Sequence, residues 1–253
     1  MTQPQAGMVQ SVAKALSLLT CFVDEPGGLT LTELARRSET NISTALRLLR
    51  TLCSMSLLRR DPVSELFFPG SALVRLARSA LLQNGFMEAM AVLQNLAEQT
   101  RETASIGIRA NDCVLTILTA PSPEALRVHS SVGSRTPLEL SAMGRILLAF
   151  SGYQELKSLR SPPRLTEFTI ISAVKLRNEI LATQYRQYAV LDQEVSLGVR
   201  AIAAPILGRQ HIVQAAVGIE GPVARLADHR IEKLAQAVIS AGALLRELPV
   251  YDS

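Results

Sequence analysis

Apolar residues along the 253-residue chain repeat with two different periods, and the change falls near residue 102. Before it the spacing is helical. In SVAKALSLLTCF, Val12, Ala15, Leu16, Leu19 and Phe22 recur at i, i+3 and i+4, which predicts an amphipathic helix ended by DEPGG. In LTLTELARRS, Thr30 and Glu33 form a capping box ahead of an apolar stripe of Leu31, Leu34 and Ala35. A short gap at Ser38–Thr40 leads into NISTALRLLRTL. There Asn41 reads as an N-cap, and Leu46, Leu49, Leu52 and Cys53 line one face. LLRRD and LFFPG predict two brief strands joined by the turn-rich DPVSE. Residues 71–99 predict helix almost throughout, broken at Gly85.

Beyond residue 102 the period shortens. TASIGIRA, CVLTILTA and LRVHSSVG predict strands, which places His129 on a strand. SAMGRILLAFSG, YQELKSLR and SAVKLRNEILATQYRQY predict helices. YAVLDQE, RAIAAPILG and IVQAAVGIEG predict three more strands, and a last helix runs from Asp228 to Glu247. The sum is an α+β chain of two domains. The second is one mixed, largely antiparallel sheet with helices packed on it. The first, three short helices with a tight turn between the second and third and then a hairpin, is the pattern of a winged helix-turn-helix. A plain three-helix bundle beside a loop is the competing reading.

Composition narrows this. Apolar residues at 48% and charged residues at 19% describe a globular chain, and aromatics at 4% with no tryptophan imply an aliphatic core. The net charge of +4 is unevenly placed. Between Arg36 and Arg60 stand six arginines and one acid, Glu39. Such a local surplus suits an anionic partner, or else a solvated face. Cys21, Cys53 and Cys113 are scattered, without CxxC, which argues against a disulfide framework or a zinc site and for the reducing cytoplasm. No signal peptide or membrane-length apolar run is expected, so the sequon at Asn41 has no consequence.

The search for catalytic motifs is mostly negative: G-x-S-x-G, G-x-G-x-x-G, Walker A and H-E-x-x-H are all missing. His129, His211 and His229 lack metal-ligand spacing. A hydrolase would need a Ser–His pair, and His129 with Ser130 or Ser131 is the only dense cluster. A protein-interaction module with a degenerate helix-turn-helix is a third reading. NISTALRLLRTL is more informative. With Asn41 as the cap, Ser43, Thr44 and Arg47 share one side near the first turn. Short hydroxyls there can bond phosphates or bases, or simply cap the helix. Arg47 can reach a guanine edge or a phosphate, and Arg50 a phosphate or solvent. In SRTPLELSAMG, Ser141 reads as an N-cap. The backbone N–H groups of Ala142, Met143 and Gly144 would then favour an anion such as a ligand carboxylate, unless Ser141 or water satisfies them.

GGLTLTELARRSETNISTALRLLRTLCSMSLLRRD resembles the winged helix of the IclR family of bacterial transcriptional regulators. The resemblance continues through LRVHSSVGSRTPLELSAMGRILLAF, YAVLDQEVSLGVRAIAAPILG and AAVGIEGP, and covers the chain from about Val9 to Leu248. It implies a winged helix-turn-helix DNA-binding domain over 8–70, a linker helix over 71–85 and a GAF-like effector domain over 86–250. It also implies a homodimer or homotetramer on a palindromic double-stranded DNA operator, a small organic effector, no cofactor, no metal and no catalysis. The DNA-facing set is Thr32, Asn41, Ser43, Thr44, Arg47, Arg50 and Arg60, with the wing near Asp61–Glu65. The effector-facing set is Leu138, Glu139, Ala142, Met143, Gly144, Leu191, Asp192, Ala201, Gly218 and Glu220.

The chain departs from the family pattern at several points. Glu139 stands where a His is common, Leu191 where many members are acidic, Ala201 for a frequent Cys, and Ile42 where some recognition helices carry Lys. Two carboxylates and added apolar surface in the pocket then point away from a small keto acid. They favour a larger, partly apolar or aromatic metabolite with hydroxyl or amino donors.

Overall fold

The computed structural model describes residues 9–23, 25, 27–83, 85–152, 156, 159–208 and 213–248. The chain divides into two compact units, residues 1–83 and 84–253.

The first unit holds α1 (Gln10–Thr20), α2 (Leu31–Arg37), α3 (Ile42–Ser54), β1 (Leu58–Arg60), β2 (Phe67–Pro69) and α4 (Ser71–Gln83). The expected capping box is present: Thr30 Oγ1 accepts from Glu33 N–H at 3.2 Å, and Glu33 accepts from Thr30 N–H at 2.9 Å. The turn into α3 is tight. Glu39 takes φ +50°, and Thr40 N–H donates to Ala35 O at 2.9 Å. β1 and β2 form an antiparallel hairpin. Leu29 bridges to Phe67, adding a short third position to the wing.

Leu18, Phe22, Leu34, Ala45, Leu49, Leu52, Leu58 and Phe67 form the core of this unit. Two expectations shift by one helical position. In α1 the buried side runs through Ala15, Leu18, Leu19 and Phe22, while Val12 and Leu16 are exposed. In α3 the buried residues are Ala45, Leu49 and Leu52, with Leu48 and Cys53 against them. Leu46 is only half-buried and lies outside that core. Small Ala45 permits close helix approach, so the true stripe follows a residue that counting leucines passes over.

The second unit holds α5 (Phe86–Thr100), β3 (Thr103–Ala110), β4 (Cys113–Ala120), β5 (Arg135–Pro137), α6 (Ala142–Ala149), α7 (Ala173–Arg186), β6 (Ala189–Asp192), β7 (Val199–Leu207), β8 (Val213–Pro222) and α8 (Ile231–Arg246). Gly85, in the left-handed region, precedes α5 as expected. The sheet order is β5-β4-β3-β8-β7-β6, and every pairing is antiparallel rather than mixed. Strand alternation sorts the core into two layers. Ile106, Ile202, Ala204, Ile206, Val217 and Ile219 meet α5 and α8 on one face. Ala203 and Ala216 meet α6 and α7 on the other, beside Ile146, Leu176 and Ile180.

LRVHSSVG is not a strand, and His129 therefore does not sit on one. Thr103 Oγ1 holds this segment by donating to Val128 O at 2.7 Å. The chain rejoins the edge of β4 only where Gly133 N–H donates to Thr116 O at 2.8 Å. Gly133 has φ +93°, a turn conformation that ends any extended run there. YQELKSLR lies largely outside the described residues.

A buried ion pair fastens the α6 layer. Arg145, fully buried, meets Glu194 through two bonds of 2.7 Å. Glu194 also accepts from Ile170 N–H at 3.1 Å, and its carbonyl accepts from Thr169 Oγ1 at 2.6 Å. Removing one member strands the other's charge, a loss of about 3–5 kcal/mol, whereas replacing both can be near neutral. Arg145→Met is therefore expected to lower the denaturant midpoint of the full chain sharply. The Arg145→Met, Glu194→Leu double variant should recover most of it. A double variant no better than the single one would show that the pair's charge is not what matters.

Candidate nucleic-acid interface and ligand cavity

α3 divides cleanly by face. Asn41 Oδ1 accepts from Thr44 N–H at 2.9 Å and from Ser43 Oγ at 3.0 Å. The hydroxyl and the cap are thus tied into one polar cluster at the helix start. α3 carries no acidic residue. Arg47 and Arg50 are exposed, and among the described residues neither guanidinium has a hydrogen bond or ion pair. Thr32 is exposed on the first turn of α2. Arg60 projects from β1, within 2.8 Å of Glu65 across the wing. Asp61 shapes that wing by accepting from Ser64 N–H at 2.7 Å and Ser64 Oγ at 2.5 Å. These bonds hold its carboxyl below the ordinary range. Arg36, not singled out from the sequence, is likewise exposed and unpaired, whereas Arg37 is held by Glu25 at 2.9 Å.

In the second unit a cavity of about 160 Å³ opens between the sheet and the start of α6. That is close to the cavity of about 150 Å³ that accepts benzene. Of the effector-facing set, Ala142, Met143, Leu191, Ala201, Gly218 and Glu220 line it. Leu138, Glu139, Gly144 and Asp192 do not. Leu138 is core, and Glu139 sits half-buried in the 3-10 turn Leu138–Leu140. Gly144 is a packing residue, since a Cβ there would stand 2.2 Å from Leu138 O. Asp192 pairs with Arg200 through bonds of 3.0 and 2.7 Å. Only one carboxylate, Glu220, therefore lines the cavity, not two.

The helix start is also partly satisfied. Ser141 Oγ accepts from Gly144 N–H at 3.3 Å, which leaves Ala142 and Met143 as its free donors. Sequence reasoning missed the hydroxyl wall of Thr103, Ser105, Thr116, Ser130, Ser134 and Thr136. Part of its signal was present: Thr103 and Ser105 stand two apart on one strand and so share a face.

The Ser–His alternative has a pair but no site around it. Ser131 Oγ lies 3.0 Å from His129 Nε2, both residues are exposed, and no carboxylate meets the ring among the described residues.

Burial pushes the Glu220 carboxyl above its ordinary value. A carboxyl raised in the folded state costs stability once pH climbs through that folded value, and costs nothing below the unfolded one. Glu220→Gln removes the charge. The ligand-free variant should melt above wild type at about pH 7.5, with the gap closing as pH falls toward about 4. A gap that does not change with pH would mean that packing, not charge, sets it.

Comparison with known proteins identifies both domains. Residues 11–62 match the IclR helix-turn-helix domain, and residues 83–245 match the C-terminal domain of the bacterial transcriptional regulator IclR. The chain is 31% identical over 240 residues to the transcriptional regulator BhcR of Paracoccus denitrificans, covering 93% of this chain and 86% of that one. It is 29% identical over 248 residues to the transcriptional repressor IclR of Escherichia coli, covering 95% and 90%. A solved IclR transcriptional regulator from Alicyclobacillus acidocaldarius superposes with a TM-score of 0.85 at 27% identity, covering 97% of this chain and all of that one. Relatives along nearly the whole length are thus named regulators and repressors rather than enzymes, and the chain belongs to the IclR family of DNA-binding bacterial transcriptional regulators.

Proposed function

We propose that the first unit, residues 8–70 with a linker helix over 71–85, reads DNA through α3, and that the domain over 86–250 binds the effector. Two copies in a homodimer, or two pairs in a homotetramer, set their α3 helices in successive major grooves of a palindromic operator, about 34 Å apart. The chain acts in the cytoplasm, where the DNA is. Asn41, Ser43, Thr44 and Arg47 face the base edges and nearest phosphates. Thr32, Arg50 and Arg60 contact the backbone. The observation that carries this reading is the outer face of α3: two unpaired arginines, a hydroxyl cluster and no acid, opposite a face committed to the core. A bidentate arginine–guanine contact is worth about 1–3 kcal/mol of discrimination. Phosphate contacts instead position the protein and respond to salt.

The effector enters the cavity beside α6. There it shifts the population of assembly geometries that match the operator, as a ligand does whenever it prefers one of two states. The size of the cavity and its hydroxyl wall favour a compact, partly apolar metabolite, monocyclic or smaller.

Mobility shift on the DNA upstream of the protein's own reading frame tests the assignment. Arg47→Ala, checked for native helicity, should bind about 10-fold or more weaker and lose discrimination at one base pair. Equal affinity would remove Arg47 from the contact. Ile42 is exposed at the first position of α3. Ile42→Lys should add one phosphate contact and steepen the slope of log affinity against log salt by about 1. An unchanged slope would place this position away from the backbone.

A further inference from the structure

Register decides what the cavity holds. Glu220 on β8 lies opposite Ala201 on β7 and Thr103 on β3. It shares its face with Gly218, whose missing side chain leaves room for Met143: a Cβ there would stand 3.2 Å from Met143 Cγ. Arg200, one residue from Ala201, turns to the opposite face, where it bonds Leu226 O and Asp192. Strand alternation therefore delivers the carboxylate to the cavity and withholds the adjacent arginine.

The charge inventory is correspondingly one-sided. Among the described residues that line the cavity, Glu220 is the only ionisable side chain, and no Arg, Lys or His faces it. The buried arginines of this unit are committed elsewhere: Arg145 to Glu194, and Arg200 to Asp192 and Asp228. Glu220 has no hydrogen bond or ion pair among the described residues. A carboxylate partly withdrawn from water without a partner carries a desolvation cost, and that cost is recovered when a cation or strong donor meets it. A ligand carrying only a carboxylate would add a second negative charge to a small enclosed space. A ligand carrying an ammonium would complete the pair, with Thr103 and Ser105 hydroxyls beside it and Met143 and Leu191 against its apolar part.

We infer that the effector of this chain is a small amine-bearing metabolite whose protonated nitrogen pairs with Glu220. The inference rests on the reading of this cavity as the effector site. The raised Glu220 carboxyl is consistent with an anion still lacking that cation.

Benzylamine and benzoate, matched in ring and size, are the probes, titrated calorimetrically into the full-length protein at neutral pH. A charge-assisted hydrogen bond is among the strong ones, worth about 10-fold or more in affinity. Wild type is therefore expected to bind benzylamine at least about 10-fold tighter than benzoate. Glu220→Gln should abolish that preference while binding benzoate at least as well as wild type does. Benzylamine binding that is no tighter than benzoate, or a preference that survives Glu220→Gln, overturns the inference. Ala201→Phe, which fills the cavity, separates the two layers of argument. If it abolishes binding of whichever probe the wild type takes, the cavity reading stands whatever the sign of the charge preference. If the preferred probe still binds, the cavity is not the site.

Discussion

The second unit is organised around one buried ion pair that fixes two sides of its cavity together. Arg145 leaves α6 one turn beyond the residues that edge the cavity. Glu194 lies next to Val195, which closes the cavity from the β6–β7 connection. The bidentate fork between them has a fixed geometry, and the low dielectric around it penalises any separation. Ile170 N–H adds a third bond to the carboxylate, Thr169 Oγ1 donates to the Glu194 carbonyl, and Thr166 Oγ1 donates to Gln193 O at 2.7 Å just before it. Arg145 Nε alone stays buried without a partner among the described residues. The pair thus specifies where the start of α6 stands relative to the sheet more than it adds net stability. It also commits Glu194, the residue before Val195, so the chemistry inside is left to Glu220 and the hydroxyls.

A similar economy operates in the first unit. Asn41 satisfies one orphan N–H of α3, that of Thr44, and the residues that start the helix are solvent-facing at the same time. Capping and DNA contact are compatible because the Asn41 amide oxygen accepts both bonds, while its NH2 group and the acceptor capacity of the Ser43 and Thr44 hydroxyls stay free. The arginines need no such sharing. Arg47 and Arg50 sit on the face away from Leu49 and Leu52, with no acid on the helix to neutralise them. A surface helix that invested in stability would pair those charges at i, i+4.

Local chemistry was legible in the sequence, and long-range placement was not. The capping box at Thr30, the caps at Asn41 and Ser141 and the break at Gly85 depend on neighbours within four residues, and each appears as expected. The core face of α3 was displaced because Ala45 buries as fully as any leucine and carries no periodic signal of its own. LRVHSSVG reads as a strand by composition, yet a hydroxyl from a distant strand and a glycine at positive φ hold it irregular. The cavity residues illustrate the same limit. Gly218 and Glu220 were expected there, but Asp192 and Glu139 could be set aside only once partners and register were known. The pairs Arg145–Glu194 and Glu102–Arg225 join positions 49 and 123 residues apart, which no periodicity reports. Thr103, Ser105 and Thr116 were readable as strand residues, but which strand face lined a cavity depended on the order of the sheet.

An unpaired carboxylate inside a cavity also gives the empty protein a defect that a ligand can correct. If the effector brings the cation, the energy of the new pair is gained only in the bound state, and the bound state is stabilised by mass action in proportion to ligand concentration. The walls that would register the change are the start of α6 and the β6–β7 connection, and the Arg145–Glu194 clasp joins them. A shift at either wall must therefore move both or break a buried ion pair. Packed elements joined in this way tend to occupy discrete arrangements rather than a continuum. A small metabolite can then bias a regulator because the free energy it supplies enters at Glu220, the one ionisable group among the described residues that line the cavity.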